Sequence, residues 1–283
     1  MEYRHYNSVE AFKSAVYEVL LEDEAQNNLL ISLIADSNVR FASDWLMAAI
    51  HGDSGDIELI AICTKPFNLL LYEPAGTRQD GAAELVAREL LKSGFDPEGV
   101  TAERGLARRF AGAFCYKGGF HRLHMTMNIM RLDKLKDCKH APGFYRTLEA
   151  RDIFFAPYWE RAFSEECRVP ALTIPENTER LYNRIGKNTH YIWENGVPVS
   201  QAVYGRDTPN GAVINSVYTP PFYRGHGYAT SIVATLSKNL LEHGKSFCCL
   251  YADADNPISC SVYRKLGYNN VCTLEDIKFD NGR

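Results

Sequence analysis

The chain has 283 residues, enough for one large domain or two medium ones with a sizeable buried core. Its 46% hydrophobic and 23% charged residues suit a globular protein, and a formal net charge of −4 gives no overall basic field for nucleic acid or an anionic membrane. The start MEYRHYNSVEAF lacks the apolar stretch of a secretory leader and no apolar run approaches the ~18 residues of a membrane span, so a cytoplasmic protein without a membrane partner is expected.

In chain order, Ser8 precedes an amphipathic run with Val9, Phe12, Val16 and Val19 or Leu20 at helical spacing. A second helix is predicted over 26–35, then the apolar strands IELIAIC (57–63) and FNLLLYE (67–73), and a helix over 81–91. After a turn at Gly94 come a helix over 102–113 and a strand through Met125 and Met127. His121 and His124 have the spacing of a metal pair, but Leu123, Met125, Met127 and Ile129 alternate as a strand and no second ligand pair accompanies them, so no metal is expected. The aperiodic segment KDCKHAPGF (137–145) marks a boundary between a first domain, 1–136, and a second, 143–283.

The second half reads as a strand (145–148), helices over 151–166 and 176–187, and HYIWENGVPVSQAVYG, where Asn195-Gly196 between β-rich runs signals a hairpin. The strand AVINSVYT follows, then a helical stripe of Ala229, Ile232, Val233, Leu236 and Leu240 that ends before Gly244. Strand SFCCLYA, a helix from Pro257 to Leu266 and a closing strand complete a mixed α/β layer architecture. The eight cysteines form no C-x-x-C pair and read as buried free thiols.

Two stretches carry chemistry. In VYTPPFYRGHGYATS (217–231), Arg224-Gly225-His226-Gly227-Tyr228-Ala229 lies between a strand end and a helix start, where unpaired N–H groups and the helix dipole favour an anion. The glycines clear side chains from a phosphate's path to the backbone, Arg224 adds positive charge, and Pro220 and Pro221 end strand pairing. An ordinary glycine-containing turn is the alternative. In DADNPISCSVYRKLGY (253–268), Asn256 before Pro257 is a helix cap, which by itself accounts for both residues. Tyr263 lies at the edge of a buried stripe of Ile258, Val262 and Leu266, as readily a packing residue as a catalytic one.

Together these stretches resemble the GNAT superfamily of acyl-CoA-dependent N-acyltransferases. Its pyrophosphate loop, R/Q-x-x-G-x-G/A, is met by Arg224, Gly227 and Ala229, and its later N-x6-Y-x3-G-F/Y pattern by Asn256, Tyr263, Gly267 and Tyr268. The resemblance covers roughly 143–283 and implies a fold of the α/β (α+β) class, a mixed, mostly antiparallel sheet flanked by helices, whose two central strands diverge around CoA. It implies that Val217, Tyr218 and Thr219 offer backbone groups to the pantetheine arm and thioester. Arg224 and the N–H groups of Gly225, His226, Gly227, Tyr228, Ala229 and Thr230 would hold the pyrophosphate. Asn256 would contact the CoA arm, and Tyr263 would meet the departing sulfur.

Acetyl-CoA is then the co-substrate and a primary amine of a small molecule or peptide the acceptor; a non-catalytic acyl-CoA-binding regulatory module is the alternative. Some relatives carry a glutamate on the strand before the loop, but AVINSVYT has no acid. Glu194, Asp253 or a water held by Ser216 or Tyr218 could replace it, and no base is assigned. In the first half, Arg78, Gly81 and Ala83 repeat R-x-x-G-x-A, which looks like a degenerate copy of the same fold. Asp80 and Glu84 would repel a pyrophosphate and no Asn…Tyr…Gly partner follows, so a second CoA site is not expected.

Overall fold

In a computed structural model of the chain, residues 1–35, 45–76, 81–115 and 119–280 are described. The elements run β1 (Glu2–His5), α1 (Val9–Glu22), α2 (Asn28–Ala35), β2 (Leu46–His51), β3 (Ile57–Cys63), β4 (Leu69–Tyr72), α3 (Ala82–Ser93), β5 (Gly99–Glu103), α4 (Arg104–Phe114) and β6 (Phe120–Leu132). The same order then recurs: β7 (Phe144–Thr147), a 3-10 turn, α5 (Ala156–Glu166), α6 (Ile174–Lys187), β8 (His190–Asn195), β9 (Val197–Asp207), β10 (Gly211–Tyr218), α7 (Tyr228–Glu242), β11 (Phe247–Asp253), α8 (Pro257–Leu266) and β12 (Asn269–Asp280). Among the described residues no helix is long and apolar enough to cross a membrane.

Two compact units result, 1–129 with 270–283 and 130–269. In unit 1, β1 to β4 pair antiparallel in sequence order, β4 pairs β5 in parallel, and β12 pairs β5 antiparallel. Helices cover both faces of its sheet, so β2 and β3 are buried along their whole lengths. Met47, Ala49, Ile60 and Ile62 pack with Phe12, Val16 and Ile31, while Ala48, Ile50 and Leu59 pack with Val86, Leu90 and Phe110. Ser8 caps α1 by accepting from the Ala11 N–H at 3.2 Å.

In unit 2, β7, β8, β9 and β10 pair antiparallel in order and β10 pairs β11 in parallel. Gly196 turns the β8–β9 hairpin at φ 73°. Leu181, Ile192, Ala156 and Leu148 form a small core under α5 and α6; Ala202, Ala212, Ile214 and Leu250 pack with Ile232, Val233 and Leu236 of α7. Neighbouring strand residues point to opposite faces, so α5 and α6 lie on one side of this sheet and α7 on the other.

These units differ from the expected division at 137–145. The strand β6 runs into unit 2 at Met130, and the closing strand, expected in the second domain, joins unit 1 from Asn270 through its ladder with β5. The structure adds β1, β2 and β5, and splits the helix expected over 151–166 into a 3-10 turn (Ala150–Phe154) and α5. Arg78, Gln79 and Asp80 of the repeated loop lie outside the described residues.

Candidate active site

The parallel ladder between β10 and β11 is short. It joins Gly211, Ala212 and Val213 to Phe247, Cys248 and Cys249, yet β10 continues to Tyr218 and β11 to Asp253. Beyond Val213 the two strands part, which opens the sheet at its centre. On its other edge β10 bulges: Asn215 faces Val203 and Tyr218 faces Gln201, so Ser216 and Val217 together oppose one residue of β9. Ser216 takes a φ of 47°, a left-handed conformation that turns its neighbours' peptide groups out of the ladder. The bulge is held from below, by Ser200 Oγ donating to Tyr218 O at 3.1 Å and Gln201 Nε2 donating to Ser216 O at 3.4 Å. Val217, Tyr218 and Thr219 therefore line one wall of the opening.

The chain then makes a 3-10 turn at Pro221–Tyr223 and enters α7 through Gly225 and Gly227, whose φ angles of 82° and 81° favour glycine. No side chain caps α7, so first-turn N–H groups of Tyr228, Ala229 and Thr230 are open to an acceptor from outside the helix. His226 stacks on Tyr228, ring centres 5.7 Å apart, and the Tyr228 hydroxyl accepts from Asn195 Nδ2 at 2.9 Å. Ser231 Oγ accepts from the Ala141 N–H at 2.8 Å and donates to Gly227 O at 3.0 Å.

Arg224 has partners within the protein. Its Nε donates to Thr219 O and its outer nitrogen to both oxygens of Glu166, each at 2.8 Å. The guanidinium thus ties the start of the loop to the end of α5. A side chain with two such partners clamps the loop to α5.

Tyr263 lies on α8, buried against Tyr268 with ring centres 6.0 Å apart. Among the described residues its hydroxyl has no hydrogen-bond partner. Burial raises its pKa above the ordinary tyrosine value, and the thiols of Cys167 and Cys260 add to the shift. Cys167, at the end of α5, is itself pushed up to about 11 by burial and by Glu166 and Asp253. The hydroxyl therefore stays protonated and free to donate. Asn256, an exposed residue, caps α8, its Oδ1 accepting from the Ser259 N–H at 3.1 Å.

The acids considered as bases are both engaged. Glu194 accepts from Arg146 Nε at 2.5 Å, and Asp253 pairs with Arg168 at 2.9 Å while also accepting from the Asp255 N–H. A group that the sequence did not single out lies beneath the bulge: Glu160, Arg184, His190 and Gln201, all buried. On α5 and α6 these charges occupy the inward stripe, a fact legible only once the direction of each stripe is known.

A mixed sheet parted between two parallel neighbours, with a glycine loop leading into one helix and a tyrosine on the next, is the arrangement that the resemblance read from the sequence implies. Residues 155–268 match the model of the Acetyltransferase (GNAT) family, so the chain carries a GNAT domain, for which acyl transfer from an acyl-CoA is implied. No curated protein sequence matched. Among solved structures, a GCN5-related N-acetyltransferase from Sphaerobacter thermophilus is 15% identical, with 98% of this chain and 95% of that one covered and a TM-score of 0.69. A GNAT-family acetyltransferase from Colwellia psychrerythraea is 12% identical, with 99% of each chain covered and a TM-score of 0.59. A tandem GNAT protein from the clavulanic acid biosynthesis pathway is 13% identical over 99% of this chain and 98% of that one, TM-score 0.52. At these identities the likeness is one of fold, and it extends over both units.

Proposed function

We propose that unit 2 is an N-acetyltransferase that moves an acetyl group from acetyl-CoA to a primary amine by direct attack. The observation that carries this reading is the opening between β10 and β11 with the Tyr263 hydroxyl, unpartnered among the described residues, on the helix after it. Backbone N–H groups at Gly225 to Thr230 would seat the pyrophosphate, and the bulge at Ser216 and Val217 would turn peptide groups toward the thioester. The neutral amine adds to the thioester carbonyl carbon, the C–S bond breaks, and CoA leaves as a thiolate while the amine nitrogen loses a proton to water. Amide and CoA are the products.

Polarisation of the carbonyl and orientation of the amine supply much of the acceleration. With reference pKa values of ~10 for tyrosine and ~8.5 for a thiol, full proton transfer from Tyr263 to sulfur is uphill by roughly 2 kcal/mol. Burial raises Tyr263 further and so makes that transfer worse. A hydrogen bond to the developing sulfur charge is the role its chemistry fits. The ion pairing of Glu194 and Asp253 leaves a second reading, a module that binds acyl-CoA without turnover.

Thiol release from acetyl-CoA across amines, polyamines, amino acids and peptides separates the two. Turnover is expected with at least one amine, and Tyr263→Phe, which keeps the ring, should lower kcat by about 10²-fold with CoA affinity within a few fold. CoA binding without thiol release would favour the module. Full turnover in Tyr263→Phe would make the tyrosine structural.

A further inference from the structure

The buried polar side chains beneath the bulge orient one another. Glu160 of α5 accepts from Arg184 of α6 through one oxygen and from Gln201 of β9 through the other, each at 2.7 Å. The same Gln201 nitrogen donates to Ser216 O at 3.4 Å, so both its hydrogens face acceptors. Gln201 Oε1 lies 3.3 Å from His190 Nε2. Burial, with the charge of Arg184 second, pushes that imidazole down to about 3, so the ring is neutral and donates its one proton from Nε2. A reversed amide would set its oxygen against a carboxylate and a carbonyl. One orientation of Gln201 fits all three partners.

A buried ion pair adds little stability over apolar side chains of the same size, so stability alone does not explain Glu160 and Arg184. The bulge supplies a reason. Ser216 holds a φ of 47°, a left-handed conformation that a residue with a side chain keeps only where its surroundings hold it there. Ser216 and Val217 fall between the ladder pairs Asn215–Val203 and Tyr218–Gln201. Two neighbouring side chains of β9 grip the carbonyls here, Gln201 at Ser216 O and Ser200 at Tyr218 O, the second at 3.1 Å. A planar trans peptide sets its N–H opposite to its C=O. With both carbonyls drawn to β9 side chains, the N–H groups of Val217 and Thr219 face away from β9. The neighbour of β10 on that other side is β11, which has already parted from it.

We propose that Gln201 is a positioning residue: aligned by Glu160, it holds the Ser216–Val217 peptide so that the Val217 N–H polarises the thioester carbonyl of acetyl-CoA. This rests on the reading above that unit 2 seats acetyl-CoA. Negative charge grows on the carbonyl oxygen as the amine adds, and a donor fixed beforehand stabilises it without reorganising. Gln201 is fully buried and acts only through the peptide it holds. Arg184 keeps Glu160 charged for this task, because a carboxylate buried without a cation is costly.

Infrared spectroscopy of bound acetyl-CoA, isotopically labelled at the thioester carbonyl carbon, reads this polarisation directly. In the parent the carbonyl stretch should lie below its frequency in water. Gln201→Met keeps the length of the side chain and removes its donors. It should return the stretch toward the aqueous value and, with an accepted amine, lower kcat by about tenfold, while KM for acetyl-CoA and calorimetric CoA affinity change little. A purely structural side chain would move stability and leave the stretch where it was. The double variant Glu160→Gln with Arg184→Met removes both buried charges together and leaves Gln201 in place; it should give a smaller change of the same sign. A bound carbonyl at its aqueous frequency in the parent, or an unchanged stretch in either folded variant, would overturn the positioning and leave the CoA seat standing. A parent that binds no acetyl-CoA would overturn both.

Discussion

In unit 1 the parallel ladder joins Leu69 to Val100 and Leu70 to Thr101; in unit 2 it joins three residues of β10 to three of β11. Tyr72-Glu73-Pro74 follows one ladder and Tyr218-Thr219-Pro220 the other, and each chain enters its next helix through a left-handed glycine, Gly81 at φ 112° or Gly227 at φ 81°. Glu103 caps α4 where Asn256 caps α8. Seven residues past each cap stand Phe110 and Tyr263, so unit 1 has the ring without the hydroxyl. Glu73 stands where unit 2 has Thr219, and Arg109 of α4 donates to both its oxygens, at 2.9 and 2.7 Å. That ion pair ties the end of β4 to the helix after β5. Unit 2 has a hydroxyl residue, Thr219, at the position of this paired carboxylate. We read unit 1 as a copy without its own CoA.

The largest expected effect is at Gly227. Gly227→Glu puts a negative side chain beside the phosphates at a positive φ, and CoA affinity in calorimetry should fall by at least about 100-fold. Gly227→Ala strains the same backbone without the charge and should cost much less. Equal losses in the two would assign the effect to strain alone.

Acid should act on unit 2 through His190, for which the corresponding first position of β8's counterpart, Leu46 in β2, is apolar. Burial, with the charge of Arg184 second, pushes the folded imidazole down to about 3 from an ordinary value of 6.5. The unfolded chain therefore takes up the proton first, and stability present above pH 6.5 is lost as pH falls toward 3. Between pH 7 and 5 the parent should lose about 2 kcal/mol more than His190→Gln in denaturant unfolding. Parallel losses would show that the imidazole does not carry this dependence.

The smallest effect concerns the staple. Glu73→Gln leaves Arg109 with a neutral partner and should cost about 1–2 kcal/mol of stability, since Arg109 keeps some access to water. It should create no CoA site. A second binding event in this variant would mean that the ion pair alone closes unit 1.

Much of the site was legible because its chemistry is local. Two glycines, a strand end and a helix start fall within fifteen residues, and Asn256 caps the short helix that carries Tyr263. What escaped was set by distant partners. Arg224 reads as a free cation until Glu166, 58 residues away, takes it. Nothing in NNVCTLEDIKFD says which edge strand it will join, and its pairing with β5 moved the boundary between the units. The strand β5, GVTAE, has little apolar content of its own and is ordered by neighbours on both sides. Glu160 and Arg184 look like ordinary surface charges on helices until the packing buries them.

The central claim is that CoA is seated by unit 2 and not by unit 1. Calorimetric titration of CoA into the parent and into Gly81→Glu counts the sites and locates them. The account predicts one site per chain with unchanged affinity in Gly81→Glu. Two sites in the parent, or loss of binding in a folded Gly81→Glu protein, would contradict it.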